Sequence, residues 1–463
     1  MSKPTDIRVR AAELYFLQVH NRVPLKFGAQ TVTGAVCARV KVTVENRAGE
    51  RAEGWGETPL SVAWVWPAPL TWQEREDRMK AFCVRIAEQL VAFDAVGHPM
   101  ELGHAFQAQR LDVLLAEENA GRAPEAAMPH LAALVCDSLF DLAVFDAFGH
   151  LVGRPVFETL GAEYLSSDLG EFLEPRERFA GLRPPDFLKP REDRVPVWHL
   201  IGGLDPIDPS ELNGTEPNDG YPILLRDWIR RDGLNCLKIK LRGTDGDWDY
   251  RRLVRVGEIA REEGVEWLTA DFNCTVTDPL YVTDIVDRLR AEHPDFYRQL
   301  SYIEQPFPYD LEANRIDVHA VSERLPLFLD ESAHDWHIVR LGRELGWTGV
   351  ALKTCKTLTG ALLSLCWARA HGMSLMVQDL SNPMLAIIPH VLLAAHAGTL
   401  MGVECNGMQF YPEASRPEEA VHPGLYRRRG GVLDLSTLTG PGFGYHLEKI
   451  ARTLPAPAAS FGS

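Results

Sequence analysis

Apolar and polar residues follow two different rhythms along the chain, and the rhythm changes near residue 195. The N-terminal part contains two stretches that alternate with the two-residue period of antiparallel strands, and then two stretches with the period of an amphipathic helix. The strand-like stretches are 14–28 and 35–57, and the helical ones are 72–93 and 130–153. This pattern predicts an α+β domain over residues 1–160.

From residue 195 onward, short apolar runs alternate with helical stretches. The predicted strands are 195–201, 236–241, 266–271, 301–305, 326–330, 349–353, 374–379 and 400–404. Eight strands alternating with helices are typical of a (β/α)₈ barrel, which places its chemistry at the carboxyl ends of the strands. We therefore predict a barrel over 195–420, with an inserted loop at 202–222 across its mouth. Residues 161–194, rich in Pro, Glu and Arg, are predicted to be a linker or insertion.

Composition narrows the class of protein. The net charge of −16 argues against a nucleic-acid surface, and no run approaches the roughly 18 apolar residues of a membrane span. The eight cysteines are scattered and contain no CxxC pair, which favours reduced thiols over a disulfide framework. The N-terminus has no apolar stretch typical of a signal peptide, so we expect a cytoplasmic protein without membrane or nucleic-acid partners.

Charged residues stand at or near the ends of seven of the predicted strands. They are Lys238 and Lys240, Asp271, Glu304, Asp330, Lys353, Asp379 and Glu404. Three carboxylates on successive strands, Asp271, Glu304 and Asp330, repel one another unless a cation lies between them. Oxygen ligands alone suit Mg²⁺ better than Zn²⁺. A helix N-cap role explains one such carboxylate well, but it explains three in a row poorly.

Lys238 and Lys240 share one face of their strand, because side chains alternate along a strand. Both are expected to face the barrel interior, with Lys353 across the barrel from them. Desolvation, a neighbouring lysine and a nearby dication all lower a lysine pKa, so a lysine placed there can act as a base near pH 7. The alternative is that each lysine reaches out to solvent. This interpretation fits a single lysine better than it fits lysines on two separate strands. Together, the three carboxylates and the lysines suit a reaction that removes a proton from the carbon atom next to a substrate carboxylate.

These residues lie in motifs that resemble the enolase superfamily. The motifs are KIK at 238–240, DFN at 271–273, IEQP at 303–306, LDES at 329–332 and VALKTCK at 350–356. The set is most similar to the muconate lactonizing subgroup of the mandelate racemase/muconate lactonizing enzyme family. The resemblance implies an N-terminal capping domain, an enolase-like barrel and a C-terminal segment, 421–463, that returns to the capping domain.

The resemblance also implies a role for each matching residue. Asp271, Glu304 and Asp330 are expected to bind Mg²⁺, and Lys240 and Lys353 to be the acid and base, with Lys238 assisting Lys240. Substrate binding or support of the site is expected from Asn273, Glu331, Asp379 and Glu404. Two capping loops, Lys26–Gly28 and Glu57–Trp66, are expected to help set specificity.

The sequence departs from the subgroup at two strand ends. The dipeptide epimerases of the subgroup usually carry Asp-x-Asp on the eighth strand, where this chain has Glu404-Cys405-Asn406, so the pattern disfavours a dipeptide substrate. No histidine ends the seventh strand, which argues against the mandelate racemase dyad.

The expected activity is Mg²⁺-dependent racemisation, epimerisation or cycloisomerisation of a small carboxylate. Three alternatives remain: a sugar-acid dehydratase in which Asp379 or His199 supplies a proton, a metal-free Schiff-base lyase using Lys353, and a binding protein without turnover. His199 is interpreted as a packed histidine and Lys356 as an exposed cation. Trp64 and Trp66 fit an apolar lid or the core of the small domain equally well. Capped barrels often form homo-oligomers, and the sequence leaves the oligomeric state open.

Overall fold

The computed structural model describes residues 3–27 and 30–462, and its N-terminal part is a capping domain built on an antiparallel sheet. The strands are β1 (Ile7–Phe27), β2 (Gln30–Asn46) and β3 (Arg51–Pro59). The helices are α1 (Val62–Val65), α2 (Trp72–Val91), α3 (Pro99–Phe106), α4 (Asp112–Asn119) and α5 (His130–Val152). Strand β2 lies between β1 and β3 and pairs antiparallel with both. Helices α3 and α4 lie outside the two predicted helical stretches.

Helix α5 lies against β3 with almost no space between the two backbones. A Cβ atom at Gly56 would lie 1.9 Å from the carbonyl oxygen of Leu139, and one at Gly54 would lie 2.1 Å from the backbone nitrogen of Ala147. Both glycines are therefore needed for this close approach. From Leu131 to Gly149 every residue of α5 is buried, so this helix is the central support of the capping domain.

Residues 161–194 are packed against the barrel rather than extended as a free linker. They contain helix α6 (Arg176–Phe179). Leu165, Leu169, Leu173 and Phe179 are buried in the same hydrophobic core as the barrel strands. The high content of Pro, Glu and Arg concealed these apolar anchors, because they are spaced too irregularly to give a strand or helix pattern.

The second domain is a closed barrel of eight parallel strands. The strands are β4 (Arg194–Ile201), β5 (Cys236–Lys240), β6 (Trp267–Asp271), β7 (Leu300–Glu304), β8 (Leu327–Leu329), β9 (Gly349–Leu352), β10 (Ser374–Val377) and β11 (Val403–Glu404). The helices are α7 (Leu225–Asp232), α8 (Gly246–Glu263), α9 (Pro279–Glu292), α10 (Pro294–Gln299), α11 (His319–Ser322), α12 (Trp336–Leu345), α13 (Leu358–Ala370), α14 (Ile387–Ala397) and α15 (Gly407–Phe410). Pairing of β11 with β4 closes the ring. The predicted (β/α)₈ barrel with an α+β capping domain is confirmed.

The barrel interior consists of an aromatic layer beneath a charged layer. Trp198, Cys236, Tyr302, Phe328 and Met376 form one buried cluster, and the Tyr302 and Phe328 rings stack with centroids 4.3 Å apart. Because side chains alternate along a strand, the inward-facing residue two positions further along each strand lies one layer nearer the mouth. The apolar layer closes the bottom of the barrel, so its charged groups meet only at the carboxyl ends of the strands.

The C-terminal segment joins the two domains. It contains α16 (Arg416–Val421), α17 (Pro423–Tyr426), β12 (Val432–Asp434) and β13 (Ala459–Gly462), and β13 pairs with β1. Glu418 of α16 accepts hydrogen bonds from Arg452 at 2.5 Å and forms an ion pair with Arg39 of β2 at 3.4 Å. Arg39 also pairs with Glu57 of β3. This buried network fixes the capping sheet to the segment that follows the barrel, and β13 adds a strand to that sheet.

Two expectations from composition can be compared with the fold. All eight cysteines are unpaired, as predicted, and seven of them are buried. No helix in the described part of the chain is both long enough and apolar enough to cross a membrane.

The close contact between α5 and β3 predicts a large effect of adding one methyl group. Gly56→Ala should lower the free energy of unfolding by about 1–3 kcal/mol or more, because the new methyl group overlaps the backbone of α5. Gly161→Ala is the matched control, since no atom lies within 4 Å of its Cβ position. Chemical denaturation should show a loss for Gly56→Ala alone. An equal, small effect of the two substitutions would contradict the packing described.

Candidate active site

Lys238 is the centre of the charged layer. Its ammonium group donates to Glu304 and to Glu404, the latter at 2.8 Å, and lies 3.1 Å from Asp271. The side chain is 2% exposed. One buried cation therefore holds carboxylates from three strands, β6, β7 and β11.

In the absence of a metal ion, the carboxylates around Lys238 and Lys353 favour the charged form of each lysine. Burial alone would lower the pKa of Lys238, but Glu304, Glu404 and Asp271 outweigh it and raise that pKa well above its usual value. Burial also lowers the pKa of Lys353, but the charges of Asp330, Glu404 and Glu304 together raise it more. These contacts between carboxylates and ammonium groups depend on the fold and add to the effects of desolvation, neighbouring lysines and a dication.

Lys240 lies one layer nearer the mouth and contacts Asp271. Asp271 is fully buried; burial raises its pKa, but Lys240 and Lys238 lower it more. Its Oδ1 accepts the backbone N–H of Asn273 at 2.8 Å, and the Asn273 amide donates to Glu331 Oε1 at 3.2 Å. The structure thus places Asn273 and Glu331 in hydrogen-bond contact beside Asp271.

Lys353 and Lys356 both face Asp330, on the other side of the site. Their Nζ atoms lie 3.2 Å and 3.6 Å from Asp330 Oδ1, and Lys356 also donates to the backbone carbonyl of Asp330. Lys356 is 3% exposed, so its interpretation as an exposed cation is wrong. It lies on a single 3₁₀ turn after β9, and that turn brings it back over the barrel mouth.

The two tryptophans of the second capping loop have different roles. The Trp64 indole donates to Glu331 Oε1 at 3.0 Å, and the ammonium groups of Lys353 and Lys356 lie 5.3 Å and 5.7 Å from the centre of its ring. These distances are within the range of cation–π attraction. Trp66 is instead buried in the core of the capping domain. Only Trp64 acts as a lid.

Asp379 and Glu404 are joined by Asn406. Asp379 Oδ2 accepts the backbone N–H groups of Asn382 at 3.0 Å and Asn406 at 2.9 Å, and the Asn406 amide donates to Glu404 Oε1 at 2.7 Å. Burial, and then the charge of Glu404, raises the pKa of Asp379 to about 6. His199 lies outside this network: it is 2% exposed and its ring is 5.4 Å from that of Trp228, which confirms the packed histidine.

Two glutamines were missed by the sequence analysis. Gln378 donates to Glu304 Oε2 at 2.5 Å, and Gln305 accepts the backbone N–H of Asp330 at 2.8 Å. Gln378 precedes Asp379 in an apolar strand, and its polarity at an inward-facing position was an available signal. No such signal marks Gln305 in the sequence, because its role depends on the loop after β7 turning back toward β8.

Backbone strain is concentrated around the mouth. Of the eight non-glycine residues with positive φ in the described part of the chain, seven lie in loops at this end of the barrel or in the capping loop that faces it. They are Ser61, Asn273, Cys274, Gln305, Thr357, Ser381 and Met384. Such conformations each cost of order 1–3 kcal/mol and cluster at functional sites. The concentration of these strained residues at the barrel mouth is therefore independent evidence that the mouth is a functional site.

A small cavity opens between the lysines and the capping domain. Its volume is about 50 Å³. The lining residues are Leu25, Phe27, Ser61, Trp64, Leu200, Lys238, Lys240, Asp330, Lys353, Asp379, Leu380, Ser381 and Glu404. Both predicted capping loops contribute to it, although Gly28 of the first lies outside the described residues. Pockets for drug-sized ligands are about 300–1,000 Å³, so this cavity is small by comparison.

The three carboxylates at the ends of β6, β7 and β8 suit a hard divalent cation, both in their oxygen donor atoms and in their places on successive strands. Asp271, Glu304 and Asp330 offer only oxygen atoms, and Asp330 Oδ1 forms ion pairs with Lys353 and Lys356 but accepts no hydrogen bond. Burial and the charge of Asp271 raise the pKa of Glu304 well above its usual value, which marks a site with excess negative charge. Within residues 3–27 and 30–462, no three carboxylate, histidine or cysteine side chains are arranged to hold a metal as they stand. Lysine ammonium groups lie beside the same carboxylates whose negative charge such a cation would neutralise.

Known proteins share both the sequence pattern and the architecture. Residues 223–451 match the family described as enolase C-terminal domain-like. A hydrophobic dipeptide epimerase from Flavobacteria bacterium (strain MS024-2A) is 27% identical over 225 residues, which cover 44% of this chain and 60% of that protein. The chain thus matches about three fifths of the relative's length.

Solved structures of similar fold cover nearly the whole chain. An N-succinyl Arg/Lys racemase from Bacillus cereus ATCC 14579 superposes with a TM-score of 0.63 at 17% identity, covering 98% of this chain and 99% of that one. A dipeptide epimerase from Cytophaga hutchinsonii, complexed with Mg and the dipeptide D-Ala-L-Val, gives a TM-score of 0.58 at 15% identity, covering 87% and 88%.

The capped barrel and its ring of strand-end charges define the enolase-type class of (β/α)₈ barrels. The match of residues 223–451 to the enolase C-terminal domain-like family, together with the shared fold, supports assignment to the enolase superfamily, within the mandelate racemase/muconate lactonizing enzyme family. The resemblance of the sequence motifs to the enolase superfamily is thereby confirmed.

The central position of Lys238 predicts a stability difference between the two lysines of β5. Lys238→Met should lower the free energy of unfolding in metal-free buffer by about 3–5 kcal/mol, because it leaves buried carboxylates unpaired. Lys240→Met should cost clearly less, since Lys240 contacts one carboxylate and is 8% exposed. Chemical denaturation of both variants tests this. Equal losses would contradict the central role of Lys238.

Proposed function

We propose that this protein is a Mg²⁺-dependent isomerase that removes and returns the α-proton of a small carboxylate substrate. The observation that carries the proposal is the placement of Lys240 and Lys353. The two lysines extend from β5 and β9, on different sides of the barrel, into one cavity that also contains Asp330. Two acid–base groups facing one substrate carbon suit racemisation, epimerisation or cycloisomerisation.

Asp271, Glu304 and Asp330 are the residues that would hold the metal. When bound, Mg²⁺ would supply positive charge to stabilise the anion that forms as the α-proton leaves. One of Lys240 and Lys353 takes the α-proton, and the other donates a proton from the opposite side. Lys238 holds Glu304 and Glu404 in place, and Trp64 covers the cavity and excludes water.

Each acid–base lysine should be essential for α-proton exchange. In D₂O with Mg²⁺ and a library of chiral monocarboxylates, mass spectrometry should show α-deuteration by the natural protein. Lys240→Ala and Lys353→Ala should each reduce interconversion of the stereoisomers by about 10²–10⁴-fold, the usual contribution of a general acid–base group.

Lys240→Arg is the control that separates proton transfer from charge. It keeps a cation beside Asp271 but cannot deprotonate, so it should be as inactive as Lys240→Ala. Exchange that survives both Lys240→Ala and Lys353→Ala would exclude these residues as the acid and base.

The metal proposal predicts a ligand-dependent gain in stability. Saturating Mg²⁺ should raise the free energy of unfolding, by about 2.7 kcal/mol at 100 times the dissociation constant, and excess EDTA should abolish α-deuteration. Asp330→Asn should remove the Mg²⁺ effect. Asp317→Asn, which alters an exposed carboxylate, should keep it. A Mg²⁺ response that is identical in the two variants would contradict the site.

A second candidate outcome is β-elimination from a hydroxy acid. The observation in its favour is Asp379, which lines the cavity and whose pKa of about 6 allows it to donate a proton near neutral pH. Trapping of a keto-acid product with semicarbazide distinguishes this reaction from isomerisation, which yields no new carbonyl group.

A further inference from the structure

A second cavity lies between helix α7 and the C-terminal segment. Its volume is about 310 Å³, within the range of about 300–1,000 Å³ that is usual for small-molecule sites. Residues 219–221, at the end of the predicted insertion 202–222, form one side of it. Among the described residues, none lines both this cavity and the cavity at the barrel mouth. The second cavity is therefore a separate candidate for a binding site.

The described residues that line the second cavity carry an excess of positive charge. They include five arginines and three carboxylates, whereas the whole chain has a net charge of −16. Arg22 and Glu413, which pair with lining residues from outside, have opposite charges and leave the excess unchanged. A local excess of this kind attracts anions. The five arginines are Arg231, Arg416, Arg427, Arg428 and Arg429.

Two of the three carboxylates already have arginine partners. Asp219 accepts hydrogen bonds from Arg22 at 2.7 Å and 2.9 Å. Glu419 accepts hydrogen bonds from Arg427 at 2.5 Å and from Arg416 at 3.3 Å. The side chains of Arg416 and Arg427 are at least half exposed, so water solvates their remaining N–H groups. The unmatched charge that is costly therefore lies at the less exposed arginines.

Arg428 and Arg231 keep buried N–H groups without an acceptor. The third carboxylate, Asp232, accepts from Arg428 Nε at 3.0 Å through Oδ2 and from Arg429 at 2.8 Å through Oδ1. Arg428 is fully buried, and its Nη2 lies 2.9 Å from Asp232 but donates no hydrogen bond to any described residue. Arg231 Nη1 is also buried without an acceptor in that part of the chain. Buried donors of this kind are rare and costly, so these two indicate that a ligand supplies the acceptor.

Arg231 and Arg428 lie against the same indole ring. Their guanidinium carbons are 5.5 Å and 5.2 Å from the centre of the Trp228 ring, and that of Arg231 is also 4.6 Å from the centre of the Tyr221 ring. Cation–π attraction at these distances positions both side chains without neutralising them. The ion pair of Arg231 with Asp232 is long, at 3.8 Å. Burial lowers the pKa of Arg428, and the charge of Asp232 raises it by less. The positive charge of both guanidinium groups is therefore only partly matched.

We propose that the second cavity binds a small phosphate ester, with its phosphate group at Arg231 and Arg428 and its organic part against Met408 and Tyr426. The excess of two positive charges matches a phosphate monoester, which carries close to two negative charges above pH 7 because its second pKa is about 6. The guanidinium group suits phosphate because two of its N–H groups can bind two oxygen atoms at once. A carboxylate or a sulfate ester brings a single negative charge. Met408 and Tyr426 line the same cavity and offer mostly apolar surface to the ester group.

Calorimetry on the natural protein tests the ligand class. Phenyl phosphate, phenyl sulfate and benzoate are titrated in metal-free buffer at pH 8. Phenyl phosphate should bind at least about tenfold more tightly than the other two, because only it carries the charge and the oxygen atoms for both arginines. No binding of phenyl phosphate, or equal binding of the three ligands, would overturn the proposal.

Arg231→Gln and Arg298→Gln form a matched pair of variants. The first removes a guanidinium group from the cavity and leaves Asp232 with its other arginine partners; the second alters an exposed arginine on α10. Arg231→Gln should weaken phenyl phosphate binding by about 10- to 100-fold, the usual effect of losing hydrogen bonds to a charged group, and Arg298→Gln should not change it. Equal effects would overturn the proposal. Lys240→Ala should bind phenyl phosphate as the natural protein does, and a loss there would place the ligand at the barrel mouth instead.

Crystals of the natural protein soaked with 4-bromophenyl phosphate locate the ligand without any variant, so the test holds even if Arg231→Gln does not fold. The anomalous signal of bromine should give a peak in the second cavity beside Met408 and Tyr426. A peak at the lysines of β5 and β9 alone, or no peak at a saturating concentration, would overturn the proposal.

Discussion

The arrangement of the site depends on one buried ion cluster, in which the ammonium group of Lys238 is shared by Glu304, Glu404 and Asp271. Burying one of these carboxylates alone would be costly, and burying several without a cation would be prohibitive. Lys238 lies at the bottom of the charged layer, directly above the aromatic layer. From there it sets where three strand ends present their oxygen atoms.

Lys240 and Lys353 have a different relation to the carboxylates. Each contacts a single one, Asp271 or Asp330, whereas Lys238 contacts three, and all three lysines line the cavity. The ammonium groups of Lys240 and Lys353 are therefore held by one carboxylate each, whereas that of Lys238 is shared by three. This contrast is the physical reason for assigning proton transfer to Lys240 and Lys353 and a positioning role to Lys238.

The capping domain completes the site from above. Trp64 joins the two halves, because its indole nitrogen donates to Glu331 and its ring lies beside Lys353 and Lys356. The capping sheet is in turn fixed by Arg39, Glu57 and the C-terminal segment, so the lid is part of the folded core rather than a separate flap.

The sequence predicted what depends on local pattern and missed what depends on contacts between distant segments. Strand ends such as Asp271, Glu304 and Lys353 were identified because alternation and strand order place them at one edge. Lys356 was misassigned because a single 3₁₀ turn, not a continuing helix, folds it back over Asp330. The direction of each lysine pKa shift was out of reach of the sequence for a related reason, since it depends on which carboxylate touches which ammonium group.

We propose that three successive strands present a divalent-cation site between Lys240 and Lys353, the proposed acid–base pair. Anomalous diffraction from crystals grown with Mn²⁺ in place of Mg²⁺ tests it most directly. We predict one strong peak bonded to oxygen atoms of Asp271, Glu304 and Asp330, with Lys240 and Lys353 on opposite sides of it. A protein saturated with Mn²⁺ that shows no peak there, or shows it away from these carboxylates, would contradict the account.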